Sequence, residues 1–182
     1  ASGANAIITS SADLNSDAAS STAALTLNAS GANSSVVLNG AIGNTFAIGS
    51  LNASASNITL NSGLVKSNAN QSYTGNVTLG LNTVLQSSGA NATIAVANSI
   101  NSDSGANRTL NISATGAGSS VSLGGAVGAT NVLSQVDVTA GAIALNGGTL
   151  NVTGNQTFTG AVTLGAGTTL TAANVTTTAH ST

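Results

Sequence analysis

The sequence repeats itself at long range. Ile143–Gly148 (IALNGG) restates Ile58–Gly63 (ITLNSG) at an offset of 85, and Asn155–Gly165 (NQTFTGAVTLG) restates Asn70–Gly80 (NQSYTGNVTLG) at the same offset. Ser120–Gly128 (SVSLGGAVG) follows Ser35–Gly43 (SVVLNGAIG), and Leu110-Asn111-Ile112 follows Leu25-Thr26-Leu27, again at 85. Nearer the start, Ser88–Ala92 (SGANA) matches Ser2–Ala6 at 86. A single insertion or deletion therefore falls around Asp17 to Ser21, where Asn15-Ser16-Asp17 answers Asn101-Ser102-Asp103. A long internal repeat is the signature of stacked units that bury their apolar faces on one another. The copies run over about 1–86 and 87–172, with a tail at 173–182. No proline and no shift of composition separates them, so residues 1–182 read as one domain.

Within each unit the apolar residues alternate with small polar ones. Leu25/Leu27, Val36/Leu38, Phe46/Ile48, Ile58/Leu60, Val77/Leu79 and Ile94/Val96 are such pairs, and Leu110/Ile112, Val121/Leu123, Ile143/Leu145 and Val162/Leu164 repeat four of them in the second unit. Period two is the pattern of a half-buried strand. Gly-Asn, Gly-Ala, Asn-Gly and Ser-Gly lie between the runs and supply turns. Helix is disfavoured: Glu is absent, Met is absent, and Gly, Asn, Ser and Thr dominate.

Short strands at this spacing suit a sandwich, a barrel or a solenoid. The solenoid is favoured because each unit divides into about four coils of roughly 20 residues, the scale of a parallel β-helix. The core candidates are small and aliphatic, with Phe46, Phe158 and Tyr73 the only aromatic residues. Too few aromatics are present for the two girdles of a transmembrane barrel. Asn28, Asn39, Asn61, Asn111 and Asn146 fall near strand ends, where Asn tolerates left-handed backbone and its amides can bond from coil to coil. The expected fold is thus an all-β parallel β-helix of about eight coils.

Charge is nearly missing. Asp13, Asp17, Asp103, Asp137, Lys66 and Arg108 are the whole complement, for a net charge of −2. Two cations cannot neutralise a phosphate backbone or hold an anionic bilayer, so nucleic acid is not an expected partner. No window holds the 18 or so apolar residues of a membrane-spanning helix, and no membrane insertion is expected. There is no cysteine, hence no disulfide and no thiolate metal site.

The string NQTFTGAVTLGAGTTLTAANVTTT (Asn155–Thr178) resembles the repeats of large bacterial exoproteins of the filamentous-haemagglutinin type, as does GGAVGATNVLSQVDVTAGAIALNGG (Gly124–Gly148). The resemblance spans nearly the whole chain and lies in composition and repeat style. It implies a right-handed β-helix shaft on a bacterial cell surface, exported by the two-partner or autotransporter route. The N-terminal secretion domain of that family is not found in this sequence.

Chemistry-bearing residues are sparse. Asp13 and Asp17, with Asp103 as the repeat equivalent of Asp17, could form a carboxylate pair for glycoside hydrolysis; Asn-Ser-Asp is equally ordinary turn chemistry. His180 lies near the C-terminus, beyond the last strand-like run. The Gly-Gly-x-Gly-x-Asp calcium motif is missing. No catalytic residue, metal or cofactor is expected, and the chain reads as a non-enzyme. Asn-x-Ser/Thr sequons stand at Asn28, Asn33, Asn52, Asn57, Asn70, Asn76, Asn91, Asn107, Asn111, Asn151, Asn155 and Asn174, candidate glycosylation sites in a surface protein. Thr168–Thr171 and Thr176–Thr178 could make a hydroxyl array of the kind that binds ice.

A rod of parallel coils ends in open strand edges, and almost no charge is available to blunt them. End-to-end self-association is therefore expected, through further repeats or other subunits. The functional expectation is a secreted, structural shaft segment of a cell-surface adhesin. The alternatives are a subunit that stacks into an extracellular filament or surface layer, and an ice-binding solenoid. A host-surface or glycan ligand would fit the first.

Overall fold

A computed structural model describes residues 1–165 and 167–179. The chain is all-β, without a helix, and every strand pairing is parallel. It winds about seven turns as a β-solenoid with three faces, which we call A, B and C in the order the chain visits them.

The strands are β1 (Ile7–Ser10), β2 (Ala24–Asn28), β3 (Ser35–Leu38), β4 (Ser50–Leu60), β5 (Leu64–Ser67), β6 (Gln71–Leu79), β7 (Thr83–Ser87) and β8 (Thr93–Val96). The series continues with β9 (Ile100–Ser102), β10 (Thr109–Ala114), β11 (Ser120–Leu123), β12 (Gln135–Leu145), β13 (Thr149–Asn151), β14 (Asn155–Leu164), β15 (Thr169–Thr171) and β16 (Asn174–Thr178). Face A stacks β1, β3, the second halves of β4 and β6, β9, a bridge at Val127, β13 and β15. Face B runs from bridges at Leu14 and Ile42 through β5, β7, β10 and the first halves of β12 and β14 to β16. Face C holds β2, the first halves of β4 and β6, β8, β11 and the second halves of β12 and β14.

Alternation places both members of an apolar pair in the lumen and turns the residue between them outward. Val36, Ile58 and Val77 stack on face A, Leu51, Ile94, Val121 and Ile143 on face C, and Leu85, Ile112, Val138 and Phe158 on face B, all buried. The aliphatic rows run the length of the rod, each rung packing on the next at the strand spacing of about 4.8 Å. The Phe46/Ile48 pair departs from the expected alternation. Ile48 is buried, but Phe46 lies in the corner loop before β4 and is 39% exposed.

Turns are unequal. On face A, Ile8 sits beneath Val36, an offset of 28, whereas Ile58 sits beneath Val77, an offset of only 19. The coils thus vary about the expected length of roughly 20 residues because corner loops grow and shrink while faces stay in register. The corner of β6 is the tightest. Ala55 and Ser56 of the turn below face a single residue, Gly75, at φ 151°. A Cβ there would run into the Ala55 carbonyl oxygen. Gly160 repeats the arrangement above Ala140, at φ 146°.

The repeat does not fit a whole number of turns. Between Ile58 and its equivalent Ile143 the chain crosses eleven faces, so a residue on face A recurs on face C. Spacings confirm the mapping. Ile8, Val36, Ile58 and Val77 on face A are 28, 22 and 19 apart; Ile94, Val121, Ile143 and Val162 on face C are 27, 22 and 19 apart. The missing residue belongs to the loop 101–108, one shorter than its counterpart between Leu14 and Ala24.

Residues 173–179 of the tail are part of the rod. β16 pairs with the first half of β14, and Val175 stands over Gln156 as Ile94 stands over Gln71. It occupies the seat of a third unit's first strand, reached by a shorter link than the Ser87–Ala92 segment.

Candidate functional site: the open ends of the solenoid

Each end of the rod exposes a cross-section of the core. At the first turn, Ile8 on face A, Leu14 on face B and Leu25 and Leu27 on face C point inward yet are only half-buried. At the last turn the inward residues are Val162 and Leu164 on face C, Leu170 on face A, and Val175 and Thr177 on face B. Leu164 is 54% and Val175 45% exposed. Among the described residues, β1 pairs only with β3 and β2 only with β4; β15 pairs only with β13 and β16 only with β14. The outer N–H and C=O groups of these edges are available to a further strand. Grooves open beside both ends. One of about 340 Å³ is lined by Leu14, Ser16, Asp17, Ala24, Leu25 and Ile48; the other, of about 310 Å³, by Gly160, Val162, Thr177, Thr178 and Ala179.

The charged groups lie along the sides, and among the described residues Arg108 and Asp103 form an ion pair. Asp13 accepts the Ala41 N–H at 2.8 Å and an Asn44 amide hydrogen at 3.3 Å, fastening the first turn to the second. Asp17 is exposed in the loop after Leu14, and Asp103 belongs to the equivalent loop nearly four turns away. Arg108 grips Asp103 with two bonds, Nε to Oδ1 at 3.1 Å and Nη2 to Oδ2 at 2.7 Å. That hydrogen bonding holds the Asp103 carboxyl below the usual carboxylate range. Asp137 accepts from the Gln135 amide on the outside of face B. Asp13, Asp103 and Asp137 thus belong to separate hydrogen-bond sets. Among the described residues, no three of His, Cys, Asp and Glu gather at a spacing that would hold a metal. His180 lies outside the described residues.

Sequon asparagines face outward. Asn28, Asn33, Asn52, Asn57, Asn70, Asn76, Asn91, Asn107, Asn111, Asn155 and Asn174 are exposed, and Asn151 is half-buried. Several serve the stack: Asn174 donates to Asn155 Oδ1 at 3.0 Å, Asn70 accepts the Thr93 N–H at 2.9 Å, and Asn76 accepts from Ser99 at 3.0 Å. Of the five expected ladder residues, Asn61 and Asn39 form a rung at 2.9 Å. Asn111 instead stands exposed within β10. The Thr clusters divide between faces. Thr169 and Thr171 stand over Thr149 and Asn151 on face A, and Thr176 and Thr178 over Thr157 and Thr159 on face B. Thr159 and Thr178 share a hydrogen bond at 3.1 Å. Further down face B the Thr176 row passes to Asp137 and Asn111, whereas the Thr178 row keeps its hydroxyls through Thr139 and Ser113 before Gln86.

Sequence reasoning missed a polar knot in the core. Gln71 is fully buried; its amide donates to the Val65 and Gln86 carbonyls and to Ser67 Oγ, and Tyr73 donates to its Oε1 at 2.8 Å. Burial pushes the Tyr73 phenol far above its ordinary pKa. The string NQSYTG carried the signal: a Gln and a Tyr at alternate positions that both fall on the inward register. A third groove, of about 370 Å³, follows the corner between faces B and C over four turns, lined by Ser20, Ser21, Thr22, Ser50, Asn68 and Ser88 among others.

No family model, curated protein or solved structure matches this chain.

Proposed function

We propose that this chain is a non-catalytic structural element of a secreted, cell-surface protein of bacterial type: a shaft segment of an adhesin of the filamentous-haemagglutinin kind. The observation that carries the reading is the largely apolar cross-section of the core that the described residues present at each end. A solenoid whose function lay in its own side walls would need its ends closed, because a bare apolar section and open strand edges invite association. The side walls here are neutral hydroxyls and amides with a few dispersed charges. They suit a long, inert spacer exposed to water, and the Ser- and Asn-lined corner groove offers hydrogen-bonding groups of the kind a glycan uses.

A second reading, a subunit that stacks into an extracellular filament, is favoured by the same ends in a different way. No Lys, Arg or Pro blunts either edge among the described residues. Electron microscopy of the native material separates the two. Rods of one fixed length are expected for the shaft; fibres of indefinite length with a period of a single chain would replace it with the filament subunit.

A further inference from the structure

We infer that a second copy of this chain docks on the C-terminal end of the first, turned by one face of the triangle, with β1 of the second copy laid on the face C segment of β14. The inference rests on the stacking-subunit reading above and adds to it the partner, the seat and the phase.

The end of a three-faced solenoid is a ramp. Its last three strands stand at successive heights: the second half of β14 on face C lowest, then β15 on face A, then β16 on face B. The start is a ramp too, with β1 on face A lowest, then the Leu14 bridge on face B, then β2 on face C. Two ramps meet without a gap only if the incoming first strand takes the face that follows the last one. The last described strand is on face B, so the next seat is on face C, over Ala161–Leu164. Placing β1 there brings Ile8 over Val162 and Ser10 over Leu164. Leu14 then comes over Leu170, and Leu25 and Leu27 over Val175 and Thr177. Every half-exposed inward residue of one end meets one of the other. Keeping the faces aligned instead puts β1 over β15 and leaves face C one strand short, a hole through to the core.

The chain already displays such a contact. The first unit ends where the second begins, and there β8 lies on Gln71–Tyr73 of β6, β9 on Val77–Leu79, and β10 on β7. A unit's first turn thus seats on a unit's last turn; at the end of the second unit the first of these seats, Gln156–Phe158, is covered by β16, so an incoming copy begins one face further on. Charge does not oppose the contact. Asp13 and Asp17 lie at the first turn, and no charged residue lies in the last turn among the described residues. One docked copy advances the rod by seven and two-thirds turns, about 37 Å at the usual strand spacing.

Cysteine pairs test the phase, in a chain that has none of its own. Thr9, Thr163 and Thr171 are exposed and point outward. Neighbouring strands bring Cα atoms within disulfide range. Mixing Thr9→Cys with Thr163→Cys under mild oxidation should give a cross-linked dimer, while Thr9→Cys with Thr171→Cys should stay uncross-linked. Circular dichroism confirms that each variant is folded. Cross-linking in the Thr9→Cys and Thr171→Cys mixture, or fibres whose subunit step is not about 37 Å with a one-third turn, overturns the phase and leaves stacking intact. Monomers at every concentration, by sedimentation, overturn both the docking and the filament reading, and leave the shaft reading standing.

Discussion

Gln71 and Gln156 occupy the same place in the two units, and their surroundings differ instructively. Both amides donate to two backbone carbonyls, Val65 and Gln86 in one unit and Leu150 and Thr171 in the other. Around Gln71 stand Ser67, Ser87 and Tyr73; at the equivalent positions of the second unit stand Val152, Ala172 and Phe158. The second core has turned apolar but kept its glutamine. Gln156 Oε1 is consequently buried without a partner. Phe158→Tyr should restore the bond and raise stability by about 1 kcal/mol, whereas Tyr73→Phe should orphan Gln71 and cost about 1–3 kcal/mol. Denaturant midpoints of the two variants check both signs. Ser16 tells a similar story in the first turn: its equivalent, Ser102 Oγ, accepts the Arg108 N–H at 2.8 Å, but in the longer loop the buried Ser16 Oγ has no partner. The Arg108–Asp103 pair sets the acid response. The Asp103 pKa is depressed in the folded state, so its contribution is present at neutral pH and is lost as pH falls through that lowered value. With so few titrating groups, the melting temperature should stay flat from about pH 5 to 9 and fall only in stronger acid. Arg108→Ala should remove most of that acid slope, in thermal melts across the range. The repeated string made Gln71 and Tyr73 conspicuous in sequence, but only the register shows that they face inward.

The strands themselves were largely legible. Alternating pairs such as Val36/Leu38 and Ile58/Leu60 enter the lumen as period two requires. Phe46 escaped because the Gly43–Gly49 stretch forms a corner, and alternation has no meaning once the chain leaves the pleat. Corners were the illegible part. The long turn from Ile8 to Val36 and the short one from Ile58 to Val77 carry the same faces, and the difference lies in loops whose lengths no period records. Gly75 and Gly160 make the tightest corners, each set against a carbonyl of the turn below. Gly75→Ala or Gly160→Ala should cost at least about 2 kcal/mol, combining the clash with a backbone angle that L-residues avoid. Gly167 has open space at its Cβ position, and Gly167→Ala should change stability by no more than about 0.5 kcal/mol. Chemical unfolding of the three variants side by side measures the contrast.

The whole molecule is a rod whose stability is a sum over neighbouring turns. The repeat period measures a length of chain but not the angle through which that length winds. The angle depends on how many corners fit into it, and the answer is eleven faces rather than twelve. The expectation of four coils per unit therefore rounds up a fraction that matters. The ends, by contrast, could be anticipated from the missing charge alone. One consequence concerns bearings around the rod. The NQS/NQT sequon sits at the corner between faces B and C in the first unit, as Asn70, and between faces A and B in the second, as Asn155. Whatever is fixed once per unit therefore points in a new direction with each unit and comes round again after three. A long rod of such units has no blind side: a partner approaching from any quarter meets the same surface, spaced at regular heights like the treads of a spiral stair.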